Sequence, residues 1–196
     1  SLFYKETNMS PIYTVTEIQS KYKASTQTLF FNDFNVPTRM FDQGFITPTG
    51  ELVKDDSGQK LIENFGLVFD TELKLSANDS EGVYEFALLA DDGATLEIQM
   101  PDGQWKKLID NDGDHPTRMG CSFDTTLAKV DLVKDENYPL RLKYYQGPRY
   151  HIANVLMWRK AQSTRDVSCG VTGNETFFNP NNNSVPLATY VGLINR

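Results

Sequence analysis

Two adjacent aspartates, Asp91 and Asp92, are the residues of this chain whose type and spacing most directly suggest chemistry. Neighbouring carboxylates on a loop supply both charge and oxygen atoms, which are the ligands that calcium prefers. Gly93 follows them, and Asp and Gly favour the positive-φ positions of tight turns. Taken alone, the tripeptide predicts a hairpin turn whose aspartates accept backbone hydrogen bonds.

A second acidic segment, residues 110–116, places aspartates at alternate positions, at Asp110, Asp112 and Asp114. This spacing resembles the start of an EF-hand calcium loop. Such a loop ends with a bidentate Glu at its twelfth position, where this chain has Cys121. We therefore expect the segment to be an ordinary turn.

The sequence contains no recognisable catalytic motif. Ser122, Ser163 and Ser168 lie outside any Gly-x-Ser-x-Gly context. The carboxylates form no recognisable acid/base pair of a glycosidase. The two histidines, His115 and His151, are too few for a zinc site. These patterns predict a binding or structural protein and not an enzyme.

The two cysteines, Cys121 and Cys169, are far apart in sequence and have no metal-finger spacing. They fit either one disulfide in an oxidising compartment or two buried free thiols. The sequence is compatible with both, and the prediction is a Cys121–Cys169 disulfide.

Length and charge exclude several classes of protein. The 196 residues carry 19 Lys and Arg against 26 Asp and Glu, which gives a formal net charge of −7. An acidic surface repels phosphate backbones, so nucleic-acid binding is disfavoured. The longest apolar run, residues 86–90, is far shorter than the roughly 18 residues of a membrane-spanning helix. The length fits one domain of about 100–200 residues with appendages.

Alternation of apolar and polar residues predicts a β-rich middle of the chain. Strands are predicted over residues 84–90, 94–100, 105–109, 140–145 and 151–158. The first two runs flank the short Asp-Gly segment and are predicted to pair as a β-hairpin. Short strands with frequent turns and no long helical period predict an all-β, antiparallel β-sandwich or barrel.

The two ends of the chain differ from this middle. Residues 1–25 are mixed and polar, and a short helix is predicted near Thr16–Gln19. The last residues, 185–194, are apolar, and we expect them to add a strand to the body or to contact a partner. That partner would be a second copy of the chain or a surface protein. The chain is thus divided into an N-terminal extension 1–25, a domain 26–160 and a C-terminal tail 161–196.

Several segments, in order, resemble the PA14 domain family. They are Phe41-Asp42-Gln43-Gly44-Phe45, Gly82-Val83-Tyr84-Glu85-Phe86, Asp91-Asp92-Gly93-Ala94-Thr95-Leu96, the stretch 108–115, the stretch 138–147 and Leu156-Met157-Trp158. The resemblance covers roughly residues 26–160. It implies a β-sandwich with jelly-roll-like topology, an extracellular or cell-surface location, and a carbohydrate-binding module of the kind found in adhesins.

The resemblance also implies a calcium site at Asp91 and Asp92. In the flocculin and epithelial-adhesin branch of the family, two adjacent aspartates joined by a cis peptide hold a calcium ion. That ion coordinates two sugar hydroxyls. Calcium takes about six to eight oxygens at roughly 2.3–2.6 Å, so the two carboxylates supply part of its ligands. We therefore expect calcium as the cofactor and glycans as the partner.

A second loop of that site falls at residues 146–151, where the sugar-binding members carry an Asn ligand. This chain has no Asp or Asn between Gln146 and His151. Either Gln146 and main-chain carbonyls supply the oxygens, or Arg149 takes the place of the cation by pairing with the aspartates. We predict that Gln146, Arg149, Tyr150 and His151 contact the ligand, with aromatic rings stacking on sugar.

The predicted function is a secreted or cell-surface carbohydrate-binding or adhesion module that recognises glycans through its end loops with calcium. The alternative is a structural or protein-interaction domain that keeps the PA14 fold without metal or sugar. The missing Asn in the second loop favours this alternative.

Overall fold

The computed structural model describes residues 1–31 and 34–161, together with two short strands nearer the C-terminus. The strands are β1 (Leu2–Tyr4), β2 (Lys23–Ala24), β3 (Asn35–Met40), β4 (Phe65–Leu73), β5 (Gly82–Asp91), β6 (Ala94–Gln99), β7 (Trp105–Asn111), β8 (Arg118–Gly120), β9 (Ser122–Phe123), β10 (Thr126–Leu127), β11 (Lys129–Leu132), β12 (Tyr138–Gln146), β13 (His151–Lys160), β14 (Val185–Pro186) and β15 (Leu193–Ile194). The helices are α1 (Ile18–Lys21) and the 3-10 turns Val15–Glu17 and Phe41–Gln43. None of the helices in the described ranges is long and apolar enough to cross a membrane.

The strands form two antiparallel sheets that pack face to face. Sheet A has the order β2-β1-β4-β12-β6-β7, and β15 also pairs with β4. Sheet B has the order β11-β5-β13-β14, with β3 also on β13 and β8 also on β5. The short strands β9 and β10 pair with each other. This antiparallel sandwich confirms the predicted fold class.

Inward-facing side chains of both sheets fill the space between them. Phe69, Leu96 and Leu142 of sheet A meet Leu88 and Trp158 of sheet B in one buried cluster. They alternate along their strands with residues that face outward, as the period of two requires. The predicted strands over 105–109, 140–145 and 151–158 are confirmed as β7, β12 and β13.

The predicted hairpin through Asp91–Asp92 is wrong. β5 ends in sheet B, where it pairs with β13, whereas β6 begins in sheet A and pairs with β12 and β7. β5 carries apolar side chains on both faces, because Ala87 and Leu89 belong to a second buried cluster outside the core. Within sheet B, β5 pairs with β13 on one edge and with β11 and β8 on the other, so neither edge is free to pair with β6. The Asp-Asp-Gly segment therefore carries the chain from one sheet to the other.

A second crossing lies at the same end of the sandwich. β12 ends at Gln146 in sheet A and β13 begins at His151 in sheet B. Ala153 of β13 pairs with Asp91, the last residue of β5, so the two crossings are side by side. The loops predicted to hold the site are thus brought together by strand pairing.

The N-terminal residues are built into this sandwich. β1 and β2 extend sheet A, and the segment that follows β1 packs on the outer face of the same sheet. Ile12, Val15 and Ile18 bury themselves there against Val68 and Tyr145. The short helix predicted in this segment is confirmed as α1 with its preceding 3-10 turn.

The C-terminal tail is described at two short strands. β14 pairs with β13 and β15 pairs with β4, as expected for an apolar end that adds strands to the body. Cys121 is buried, and no cysteine within the described residues is free. Cys169 lies outside the described residues, so the Cys121–Cys169 disulfide stays a prediction.

Gly66 of β4 leaves the space that the N-terminal helix occupies. A Cβ at this position would lie 2.7–2.9 Å from three carbon atoms of Ile18. We expect Gly66→Ala to lower the free energy of unfolding by about 1–3 kcal/mol in urea denaturation, because the helix must move away from the sheet. The same substitution in an Ile18→Ala background should cost less, and an equal cost in both backgrounds would contradict this packing.

Candidate functional site

The two aspartates of the first crossing are buried at the end of the sandwich. Asp91 is 2% exposed and Asp92 is 6% exposed. The peptide bond between them is cis, as the family resemblance implies. Asp92 Oδ2 accepts a 2.7 Å hydrogen bond from the backbone N–H of Gly147, which belongs to the second crossing. This bond links the two loops directly.

The loop between β7 and β8 orients both carboxylates from the other side. Asp91 Oδ2 accepts a 2.9 Å hydrogen bond from the Thr117 hydroxyl, and the Thr117 backbone N–H donates to the same carboxylate. The backbone N–H of His115 donates to Asp92. Both carboxylates are therefore fixed by neutral donors and not by cationic side chains.

Asp114 is a third acidic residue of the site, which sequence reasoning placed in an ordinary turn. A Cβ built on Gly147 would lie 3.0 Å from Asp114 Oδ1 and 3.0 Å from Asp92 Oδ2. The two carboxylates therefore flank the same glycine. Asp112, in contrast, accepts hydrogen bonds from the backbone N–H groups of Val15 and Gly113. The segment 110–116 is thus not an EF-hand-like loop, and its aspartates have separate roles.

Within the described residues, the acidic side chains of the site form no ion pair with a cationic side chain. Burial raises the pKa of Asp92 to about 7; the N–H of Gly147 opposes this rise, and the charges of Asp91 and Asp114 add to it. Burial also raises the pKa of Asp91. None of the ion pairs formed among the described residues involves these three aspartates.

Gln146 lies at the base of the site and is fully buried. The Tyr144 hydroxyl lies 2.5 Å from Gln146 Oε1 and 2.7 Å from the main-chain carbonyl oxygen of Asp91. Gln146 Nε2 donates to the main-chain oxygen of His151 at 2.9 Å, so it holds the two ends of the second crossing together. A single hydroxyl proton cannot serve both of its acceptors.

Like the Tyr144 hydroxyl, the Tyr145 hydroxyl lies near two acceptor oxygens and has only one proton to donate. Its hydroxyl lies 2.9 Å from the Tyr13 carbonyl oxygen and 2.5 Å from Asp114 Oδ1. Both ring nitrogens of His115 also face main-chain carbonyl oxygens, each at 2.9 Å. Acceptor oxygens therefore outnumber the protons that can be donated to them, which makes this end of the sandwich favourable for a cation.

The remaining predicted residues lie at the rim of the site. Arg149 is exposed, and it forms no ion pair with any residue in the described ranges. The interpretation in which Arg149 replaces the cation is therefore wrong in this structure. Tyr150 is 67% exposed, and His151 is exposed at the start of β13.

Gly93 has a role that sequence reasoning assigned incorrectly. Its φ is not in the left-handed region, so the turn conformation does not require glycine. A Cβ at this position would collide with the Tyr145 ring and would lie 2.7 Å from Asp112 Oδ1. Glycine is needed because Tyr145 approaches the backbone closely.

The donor set fits calcium better than a transition metal. The described part of the chain contains no group of three or more His, Cys, Asp or Glu side chains that could hold a metal ion by themselves. Calcium also accepts amide, main-chain and water oxygens, so it does not require three side-chain ligands of this kind. The carboxylate oxygens available at this end are those of Asp91 and Asp92, with Asp114 beside them.

Comparisons with known proteins agree with this architecture. Residues 28–169 match the PA14 domain. No curated protein sequence matches the chain.

The chain is similar to several solved structures, three of which follow. The PA14 domain of the MpAFP antifreeze protein is 12% identical, with 84% of this chain and 86% of that chain covered and a TM-score of 0.52. A PA14 sugar-binding domain from an RTX adhesin is 20% identical over 53% and 50% of the two chains, with a TM-score of 0.36. The Epithelial Adhesin 9 A domain from Candida glabrata, in complex with Galb1-3GlcNAc, is 18% identical over 60% and 56%, with a TM-score of 0.34. Since the PA14 match spans most of its length, the chain belongs to the PA14 domain family.

Proposed function

We propose that this chain is a calcium-assisted carbohydrate-binding module that works in adhesion at a cell surface or in the extracellular space. The observation that carries the proposal is the pair of buried aspartates, Asp91 and Asp92, which have no cationic partner among the described residues. Buried charges that lack a counter-charge take up protons or coordinate a metal. The PA14 resemblance implies calcium at these same two residues.

The chain's own groups prepare the site before any ion enters. Gly147 and Thr117 donate hydrogen bonds to the two carboxylates, and because each carboxylate has about four acceptor positions, some of these stay available to a cation. When bound, calcium supplies positive charge and coordination positions that hold sugar hydroxyls. Asp114 adds negative charge beside them.

The rim residues are suited to contact the sugar itself. Tyr150 is largely exposed and presents an aromatic ring, on which the C–H groups of a sugar stack. Arg149 and His151 are exposed beside it and carry hydrogen-bond donors for hydroxyl groups. Few contacts to a single sugar imply weak affinity, with a Kd of about 0.1–1 mM, so adhesion depends on several copies acting together.

A structural or protein-interaction role without metal is the second candidate function. The absence of Asp and Asn between Gln146 and His151 favours it, because the second loop then offers only amide and main-chain oxygens. Under this alternative, the C-terminal tail mediates contact with another copy or a surface protein. The two candidates differ in whether calcium changes the protein at all.

The stability of the protein should depend on the charge of Asp92. Its folded-state pKa of about 7 exceeds the ordinary value of 3.8. The free energy of unfolding therefore falls as pH rises from about 4 to about 7, because over this range the unfolded chain releases the Asp92 proton and the folded chain retains it. In EDTA at pH 8, we expect Asp92→Asn to raise the free energy of unfolding by about 1–3 kcal/mol, measured by urea denaturation. At pH 4 the variant and the wild type should agree closely.

The exposed residue Asp131 provides a control with the same change of charge. The free energy of unfolding of Asp131→Asn should equal that of the wild type at both pH values. An Asp92→Asn protein that is no more stable than the wild type at pH 8 contradicts the unpaired buried charge.

Calcium binding should require Asp92. We expect the wild type to bind calcium in isothermal titration calorimetry and Asp92→Asn to bind it at least about tenfold more weakly, since one ligand loses its charge. Asp131→Asn should bind as the wild type does. On a glycan array, binding should disappear with EDTA and in Asp92→Asn. Full glycan binding by Asp92→Asn would refute the proposed site.

Calcium affinity should depend on Gly147, because a glycine places no side chain between the carboxylates of Asp92 and Asp114. Gly147→Ala places a methyl group about 3.0 Å from Asp92 Oδ2 and from Asp114 Oδ1. We expect calcium affinity to fall by about tenfold while the free energy of unfolding changes by no more than about 1 kcal/mol. Unchanged calcium affinity would show that the ion does not lie between these carboxylates.

A further inference from the structure

The outer face of sheet A is divided into a covered half and an open half. The N-terminal segment packs over Val68 and Tyr145 on the half nearest the aspartates. Beyond this cover, the sheet exposes polar side chains and one large aromatic ring, that of Trp105, which is 41% exposed. The other tryptophan of the chain, Trp158, is fully buried in the core.

A row of alternating charges crosses the open half. Strand register places Asp70, Arg141, Glu97 and Lys107 side by side on β4, β12, β6 and β7. The Arg141 guanidinium forms a 2.7 Å ion pair with Asp70. The row has two positive and two negative side chains, and Lys107 also forms a 3.4 Å ion pair with Asp110, so this surface has no excess of positive charge that would attract a polyanion.

The indole of Trp105 is held over this row. The Arg141 guanidinium carbon lies 5.0 Å from the centroid of the Trp105 ring, although β6 lies between their strands. Arg141 thus bridges β6 and fixes the ring by a cation–π contact. Gln99 lies directly opposite Trp105 on β6 and adds an amide at its border.

We propose that this surface, the Trp105 face (Trp105, Gln99, Glu97, Arg141 and Asp70), binds a neutral, extended glycan without calcium. An exposed indole fixed on the surface of a sheet suits a sugar ring, whose C–H groups stack on the aromatic face. The surrounding guanidinium, carboxylate and amide groups match the hydroxyls at the edges of that ring. A protein partner fits less well, because one indole among charged residues is far smaller than the apolar centre of a stable interface.

This second surface is independent of the aspartate site. The Trp105 face lies on the side of the sandwich and shares no residue with the crossings that hold Asp91 and Asp92. Binding to it should therefore persist in EDTA and in Asp92→Asn. An experiment that disproves one of the two sites therefore leaves the proposal for the other unchanged.

Affinity electrophoresis in EDTA tests this face. The full chain is run through native gels that contain neutral polysaccharides (a β-glucan, an α-glucan, a mannan and a galactan), with heparin as the polyanionic comparison. We expect at least one neutral polymer to retard the wild type and Asp92→Asn equally. Trp105→Ala should weaken that association by about tenfold or more, because the stacking ring is lost.

Matched variants separate binding from folding. Trp105→Phe retains a ring and should recover part of the binding that Trp105→Ala loses. Val83 is 43% exposed on sheet B, and Val83→Ala removes exposed apolar surface there without affecting binding. Because Trp158 is buried, a shift in tryptophan emission on adding the bound polymer reports Trp105 directly.

Several outcomes would contradict glycan binding at the Trp105 face. The first is equal retardation of the wild type and Trp105→Ala. The second is loss of the EDTA-resistant binding in Asp92→Asn. Retardation by heparin alone would favour an anionic partner. The absence of retardation by every neutral polymer in the wild type would also reject it.

Discussion

The end of the sandwich buries the carboxylates of Asp91 and Asp92, and no cationic side chain in the described part of the chain pairs with them. Burying an unpaired charge is unfavourable, and neighbouring groups that donate hydrogen bonds reduce this cost. Gly147 and Thr117 donate hydrogen bonds, and Gly93 avoids a collision with the ring of Tyr145. The residue types at these positions are therefore constrained by the electrostatic cost of burying two carboxylates, in addition to the requirements of the fold.

Strand topology explains why the groups around Asp91 and Asp92 lie together at one end of the sandwich. The chain passes from one sheet to the other after β5 and again after β12, and the pairing of β5 with β13 brings these crossings together. The N-terminal segment supports the same end from outside, because the Tyr145 hydroxyl lies between the Tyr13 carbonyl and Asp114. Burying unpaired carboxylates in this way lowers the stability of the protein, a cost that functional sites commonly carry.

The sequence predicted the strands and the family because these depend on local alternation and on short motifs. It did not predict that β5 and β6 belong to different sheets, since alternation shows which side chains are buried but not which strands pair. Asp114 was assigned to a turn because its approach to Gly147 depends on the relative positions of two loops. The exposed position of Arg149 likewise follows from the path of the second crossing, which residue types do not encode.

The protonation of Asp92 is the property that most directly distinguishes a cation site from a simple chain crossing. NMR titration of the Asp92 side-chain carboxyl carbon, with and without calcium, measures it. We expect a midpoint near pH 7 without calcium. Saturating calcium should lower that midpoint by more than about one pH unit, because the ion competes with the proton. A midpoint near pH 4 that calcium does not move would contradict the central claim.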